Sequence, residues 1–165
     1  MLTTPAVVFF EVVLAIHVMA AIVAFGVTFA YPIIFAVIEK ADPRALGAMH
    51  RAERAVGQRL ITPGLGVVLL AGIYLASKLH EWSAFYVQWG LGVAIVLGAL
   101  GGMFFAPTEK RLAELADRDV AASSGDEVTL SAEYQVLSKR LAMVGALSSL
   151  LVLVTVYFMA THTGA

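Results

Sequence analysis

The chain has 165 residues, 60% hydrophobic and 14% charged, with mean hydropathy +0.86 and a formal net charge of −1. A soluble domain carries about 45–50% apolar and about 25% charged residues, so lipid is the expected solvent of this chain. The absence of cysteine excludes disulfides, thiolate metal sites and cysteine nucleophiles, and 11 Lys/Arg against 12 Asp/Glu leave no basic field for nucleic acid.

A membrane-crossing helix takes about 20 mostly apolar residues. The first run, Ala6 to Ile38, is interrupted only by Glu11 and His17. At helical rise it would measure about 50 Å, so it must protrude, tilt or kink, and Pro32 is the expected kink because it removes a backbone donor. Its first basic residue is Lys40, too late for the leader of a signal peptide, so the run is expected to stay as a helix.

The link that follows opens on Asp42-Pro43, a cap followed by a proline at the first helical position. Leu46, Met49, Glu53 and Val56 recur there at helical spacing, with Arg44, Arg51 and Arg54 set for anionic headgroups and His50 within the link. A second run, Leu60 to Ala76, begins around Thr62-Pro63-Gly64 and ends in a turn at Ser77–Glu81. The third run spans Trp82 to Pro107. After it, Lys110, Glu114 and Arg118 at four-residue steps predict a solvated helical extension. Ala121 to Asp126, with Ser123-Ser124-Gly125, is the expected break. A helix starting near Thr129 or Ser131 leads into the fourth run, Leu141 to Ala160.

Ten of the eleven Lys/Arg lie in the links after the first and third runs. Excess basic charge marks the cytoplasmic side, which places both termini outside. The expected fold is all-α: one domain over residues 1–165, an integral membrane antiparallel four-helix bundle with helical cytoplasmic extensions, in a bacterial cytoplasmic membrane. Lipid tails give helices no apolar reason to associate, so small residues are expected at contacts. Gly98 and Gly102, Ala142 and Ala146, Gly145 and Ser149, and the face of His17, Ala20, Ala21, Ala24 and Thr28 have that spacing.

An ionisable residue inside the bilayer is a functional candidate. His17 lies eleven residues into its run, about 16 Å below the outer end. In an antiparallel bundle its level neighbours are expected near Val67, Ala94 and Ser149. Three roles are open to it. A neutral buried imidazole would donate to a carbonyl or to Ser148 or Ser149. An axial haem ligand would place the macrocycle against the neighbouring alanines. A proton relay would join it to Glu11 and the outer polar groups Tyr74, Gln88 and Tyr157. Glu11, His80 and His162, all towards the outer side, form a further candidate set for a metal ion.

The stretch Ile16-His17-Val18-Met19-Ala20, followed by Phe25-Gly26, Phe29 and Pro32, resembles the first helix of the bacterial predicted integral membrane proteins of domain of unknown function 2269. Met49-His50-Arg51-Ala52-Glu53-Arg54, Ala71-Gly72-Ile73-Tyr74-Leu75 and Pro107-Thr108-Glu109-Lys110-Arg111-Leu112 extend the likeness over nearly all four helices. More distantly, His17, Ala20, Phe25, Phe29 and Pro32 are similar to the haem-binding helix of HemJ-type protoporphyrinogen oxidases, and the chain to the CopD membrane domain. The HemJ pattern departs at Ala24 and Gly26, and its later intramembrane lysine has no counterpart beside Gln88 and Trp89.

That resemblance implies haem b on His17, lodged against Ala20, Ala21 and Ala24, for electron transfer with a membrane redox partner or for tetrapyrrole handling. A homodimer bringing two His17 residues together would supply a second axial ligand. Glu11, Gln88 and Tyr157 would then tune polarity or protons near the outer surface. The rival expectations are a cofactor-free structural or accessory membrane subunit and a small transporter or channel subunit.

Overall fold

The computed structural model describes residues 5–123 and 127–164, and among them every regular element is helical. Four helices are long and apolar enough to cross a membrane: Val8–Ala41, Pro43–Leu79, Phe85–Ala122 and Ala132–Thr161. The protein is therefore a multi-pass, all-α membrane protein.

The first crossing divides where the missing proline donor requires it. Helix α1, Pro5–Gly26, passes through a tight turn at Val27–Phe29 into α2, Tyr31–Ala41, with Pro32 in the first turn of α2. Asp42 then accepts from the Arg44 N–H at 3.1 Å, and Pro43 opens the next helix. Helix α3, Leu46–Val56, runs through a π-turn at Gly57–Ile61 into α4, Thr62–Leu79. The link and the second run are thus one continuous rod. Likewise α5, Phe85–Leu100, continues through a π-turn at Gly101–Phe105 into α6, Ala106–Ala122.

Both wide turns stand just before a proline, Pro63 or Pro107, whose nitrogen donates nothing to the preceding turn. At the first, the Thr62 N–H reaches back to the Gly57 carbonyl, and the Thr62 hydroxyl donates to the same oxygen at 2.9 Å. The expected turn at Ser77–Glu81 begins later, because α4 runs to Leu79 and ends on His80 in the left-handed region. The expected break keeps α6 to Ala122, and Ser124, Gly125 and Asp126 lie outside the described residues. Helix α7, Ala132–Thr161, starts where Ser131 caps it, its side chain accepting from the Tyr134 N–H.

Helix α1 packs chiefly on α4, and α5 on α7. The start of α1, the α4–α5 turn and the end of α7 share one end of the bundle. There Phe9 meets Tyr74, Tyr86 meets His162, and the Phe85 N–H reaches the Gly164 carbonyl. At the opposite end, α3, α6 and the first turns of α7 build a head with its own core of Leu46, Leu112, Leu115, Ala116, Tyr134 and Leu141. The face of α3 that carries Leu46 is covered by α6, and Arg51, expected to be available to anionic headgroups, pairs with Asp117 of α6. Gly47 makes that approach close, since a Cβ there would collide with the Asp117 carboxylate. The Arg51–Asp117 ion pair at 2.6 Å lies beside it.

Two expectations about packing and charge change. A Cβ on Gly102 or Gly145 would meet nothing within 4 Å, so these glycines do not bring helices together within the chain. The Lys110–Glu114 pair forms at 3.9 Å, but Arg118 turns to Asp119 and Glu133 rather than to Glu114.

Candidate functional site

In the membrane, helical spacing puts His17, Ala20 and Ala24 on the stripe of α1 that faces α4. The His17 Nδ1 lies 2.9 Å from the Val68 carbonyl oxygen. A carbonyl only accepts, so Nδ1 carries a proton; with that tautomer, Nε2 is the ring nitrogen able to offer a lone pair. The partner is this carbonyl and not Ser148 or Ser149, and Val68 lies one residue from the expected level. Gly72 opposes the ring, and a Cβ there would stand 3.2 Å from the His17 Cε1. Two turns along, Ala24 is 0% exposed, and a Cβ on Gly64 would come within 2.7 Å of its own Cβ.

These contacts test whether a haem fits as the HemJ-like pattern implies. Its ligand nitrogen is present, but the alanine face that would hold the macrocycle is occupied by α4. His17 faces Gly72 and Ala24 faces Gly64, both on α4, and Ala20 and Ala21 are partly buried. The residues do not fit haem on that face.

The outer polar groups remain apart. Glu11 is exposed on α1, Gln88 donates to the Trp82 carbonyl at 3.3 Å, and Tyr157 is 62% exposed. No hydrogen bond or ion pair among the described residues joins these three or links them to His17. His162 packs edge-on against Tyr86, whose hydroxyl donates to Glu81. Among the described residues no group of three His, Asp or Glu side chains is placed to hold a metal ion, so Glu11, His80 and His162 do not form one.

The head holds a more concentrated polar site. Thr108, Glu109, Asp119 and His50 are its buried polar side chains, and His50 is 1% exposed. The His50 ring stacks at a tilt on Phe35, with centroids 4.6 Å apart, and its Nε2 lies 3.0 Å from the Tyr134 hydroxyl. Its Nδ1 faces Glu53 Oε2 at 3.6 Å, beyond hydrogen-bond length. Four buried atoms in this neighbourhood have no hydrogen-bond partner among the described residues: Tyr31 Oη, His50 Nδ1, Glu53 Oε2 and Arg54 Nε. Glu109 lies within electrostatic range of both Glu53 and Arg54.

Sequence reasoning placed His50 in a connector. The available signal was its spacing: Leu46, His50 and Glu53 follow at four and three residues and so share one helix face. The two polar stretches Met49–Arg54 and Pro107–Leu112, far apart in the chain, supply opposite walls of this cluster.

Asp119 closes the head at its outer edge, about 18 Å along the helix from the end of the third apolar run. Its Oδ2 accepts from the Ser131 N–H at 2.8 Å, and its Oδ1 accepts from the Arg118 Nε and Nη2 at 3.2 and 3.0 Å. Burial pushes this carboxyl up, but the Ser131 donors and the Arg118 guanidinium outweigh it and hold it below its ordinary value.

Residues 11–163 match the family model described as "Predicted integral membrane protein (DUF2269)". No curated protein and no solved structure matches the chain.

Proposed function

The chain belongs to this family of predicted integral membrane proteins, and from that premise we propose that it is an accessory subunit of the bacterial cytoplasmic membrane, anchored by its four crossings and acting through its head. The head faces the cytoplasm and both termini lie outside, a reading supported by the basic residues concentrated at the head end. One observation carries the proposal: the small-residue face that would accommodate a cofactor is taken up by α1–α4 packing, whereas the buried polar chemistry lies in the head. Partner binding is tested by native electrophoresis of the untagged protein from its own membranes in mild detergent. Co-migration above the mass of its homo-oligomer is the expected result, and migration as a lone chain or homo-oligomer overturns it.

A second reading, haem b on His17, draws on a different observation. Ligand histidines usually donate their other ring N–H to a carbonyl or carboxylate, as His17 does to Val68. His17 Nε2 would be the ligand this chain supplies, the group would supply one-electron redox chemistry, and electron transfer would need a membrane redox partner. The visible spectrum of protein purified from haem-replete membranes decides this reading. A Soret band that disappears in His17→Ala establishes it, and no band after haem supplementation overturns it.

A further inference from the structure

We propose that the buried cluster around His50 is a proton-binding site, which holds one proton more than ionised carboxylates, charged arginine and a neutral imidazole account for. With Glu53 and Glu109 ionised, Arg54 charged and His50 neutral, the cluster would carry a net charge of −1, with Glu109 and His50 buried and Glu53 and Arg54 partly so. Glu109 is 6% exposed and His50 1%. A buried charge without a partner is strongly disfavoured, and one proton removes it.

The unpartnered atoms show where that proton fits. His50 Nδ1 and Glu53 Oε2 face one another at 3.6 Å, and neither has another hydrogen-bond partner among the described residues. A proton on the imidazole would turn both ring nitrogens into donors, one towards Glu53 and one towards Tyr134. The Tyr134 hydroxyl can accept it, since a phenol oxygen both donates and accepts. Tyr134 then has two settings: donating to His50 Nε2 when the ring is neutral, or accepting from it when the ring is protonated. A proton on Glu53 or Glu109 neutralises the same cluster without moving Tyr134.

The surrounding groups leave this count unchanged. Tyr31 and Glu39 face the cluster from α2, Asp119 from α6 and Tyr134 from α7. Glu39 is exposed to solvent, and Asp119 is already matched by Arg118 and Ser131. The binding step is a proton taken from water on the head side, with no bond to carbon and no electron moved.

The test uses the full chain in nanodiscs at neutral pH, with 13C-glutamate for infrared spectroscopy and ring-15N-histidine for NMR. The expected result is either a protonated carboxyl band that is lost in Glu53→Gln or Glu109→Gln and kept in Glu11→Gln, or a doubly protonated His50 ring identified by its absence in His50→Gln. If the head variants do not fold, the wild-type spectra still count the proton. Fully ionised glutamates together with a singly protonated His50 ring overturn the proposal.

Discussion

The membrane bundle and the head are made from the same four rods but solve opposite problems. In the bundle apolar side chains point outwards, as Met103 (81% exposed) and Leu70 (72%) do, and α1 meets α4 at glycines, Gly64 against Ala24 and Gly72 against the His17 ring. Gly64 shows the device clearly, since a Cβ there would come within 2.7 Å of the Ala24 Cβ. In the head apolar side chains turn inwards, as in a water-soluble domain, and ion pairs such as Arg111–Glu133 lie on its surface. The difference teaches that hydrophobic burial orders the head, while close contact and single hydrogen bonds, such as Trp89 to Thr155 at 3.0 Å, order the bundle.

Truncating leucines should break the comparison most strongly. Leu112 is 0% exposed, so Leu112→Ala should cost about 2–5 kcal/mol in denaturant unfolding of the detergent-solubilised protein. Leu150→Ala, on a residue 57% exposed in the bundle, should stay within about 0.5 kcal/mol. Equal losses would mean that the two regions are packed by the same force. Next in size, one substitution should act with opposite signs at two glycines. Gly64→Ala overpacks the seam at Ala24 and should cost about 1–3 kcal/mol. Gly102→Ala meets open space and should gain up to about 1 kcal/mol from helix propensity, read from the same unfolding curves.

Two smaller effects sharpen the view of the head. Ser131→Ala removes the cap of α7 and should cost about 0.5–2 kcal/mol, with faster amide exchange at Tyr134 than elsewhere in the helix. Asp119 should stabilise the fold at neutral pH and lose that effect in acid. Its folded carboxyl titrates below the ordinary 3.8, so its stabilisation is fully present above that value and is lost as pH falls through the lower, folded one. In Asp119→Asn the unfolding midpoint should be lower at neutral pH and fall less steeply in acid. An unchanged acid slope would remove Asp119 from the clamp.

Much of the bundle was legible from residues alone. The missing proline donor announced the break before Pro32, and depth counting came within one residue of the Val68 partner of His17. Of the two expected starts of the last helix, Thr129 and Ser131, the second is its cap. The glycine contacts were not legible in the same way. Gly98 and Gly102 have the spacing of a packing pair, but lipid and a neighbouring helix are equally apolar, so spacing alone does not say which one a stripe meets. His50 was obscured for another reason. Its link carries the basic residues that mark topology, and that signal masked a helix face whose histidine and glutamate turn inwards.

The matched π-turns ahead of Pro63 and Pro107 have one more consequence. Each widened turn shifts the angular phase of its rod, since successive residues are offset by about 100° around a helix axis. The faces shown to lipid are therefore not tied to the faces shown inside the head. Because α3–α4 and α5–α6 each carry one such offset at their membrane exit, both rods are re-phased before they meet. Loss of a single residue from one of them would leave α3 and α6 facing different directions on an otherwise intact bundle.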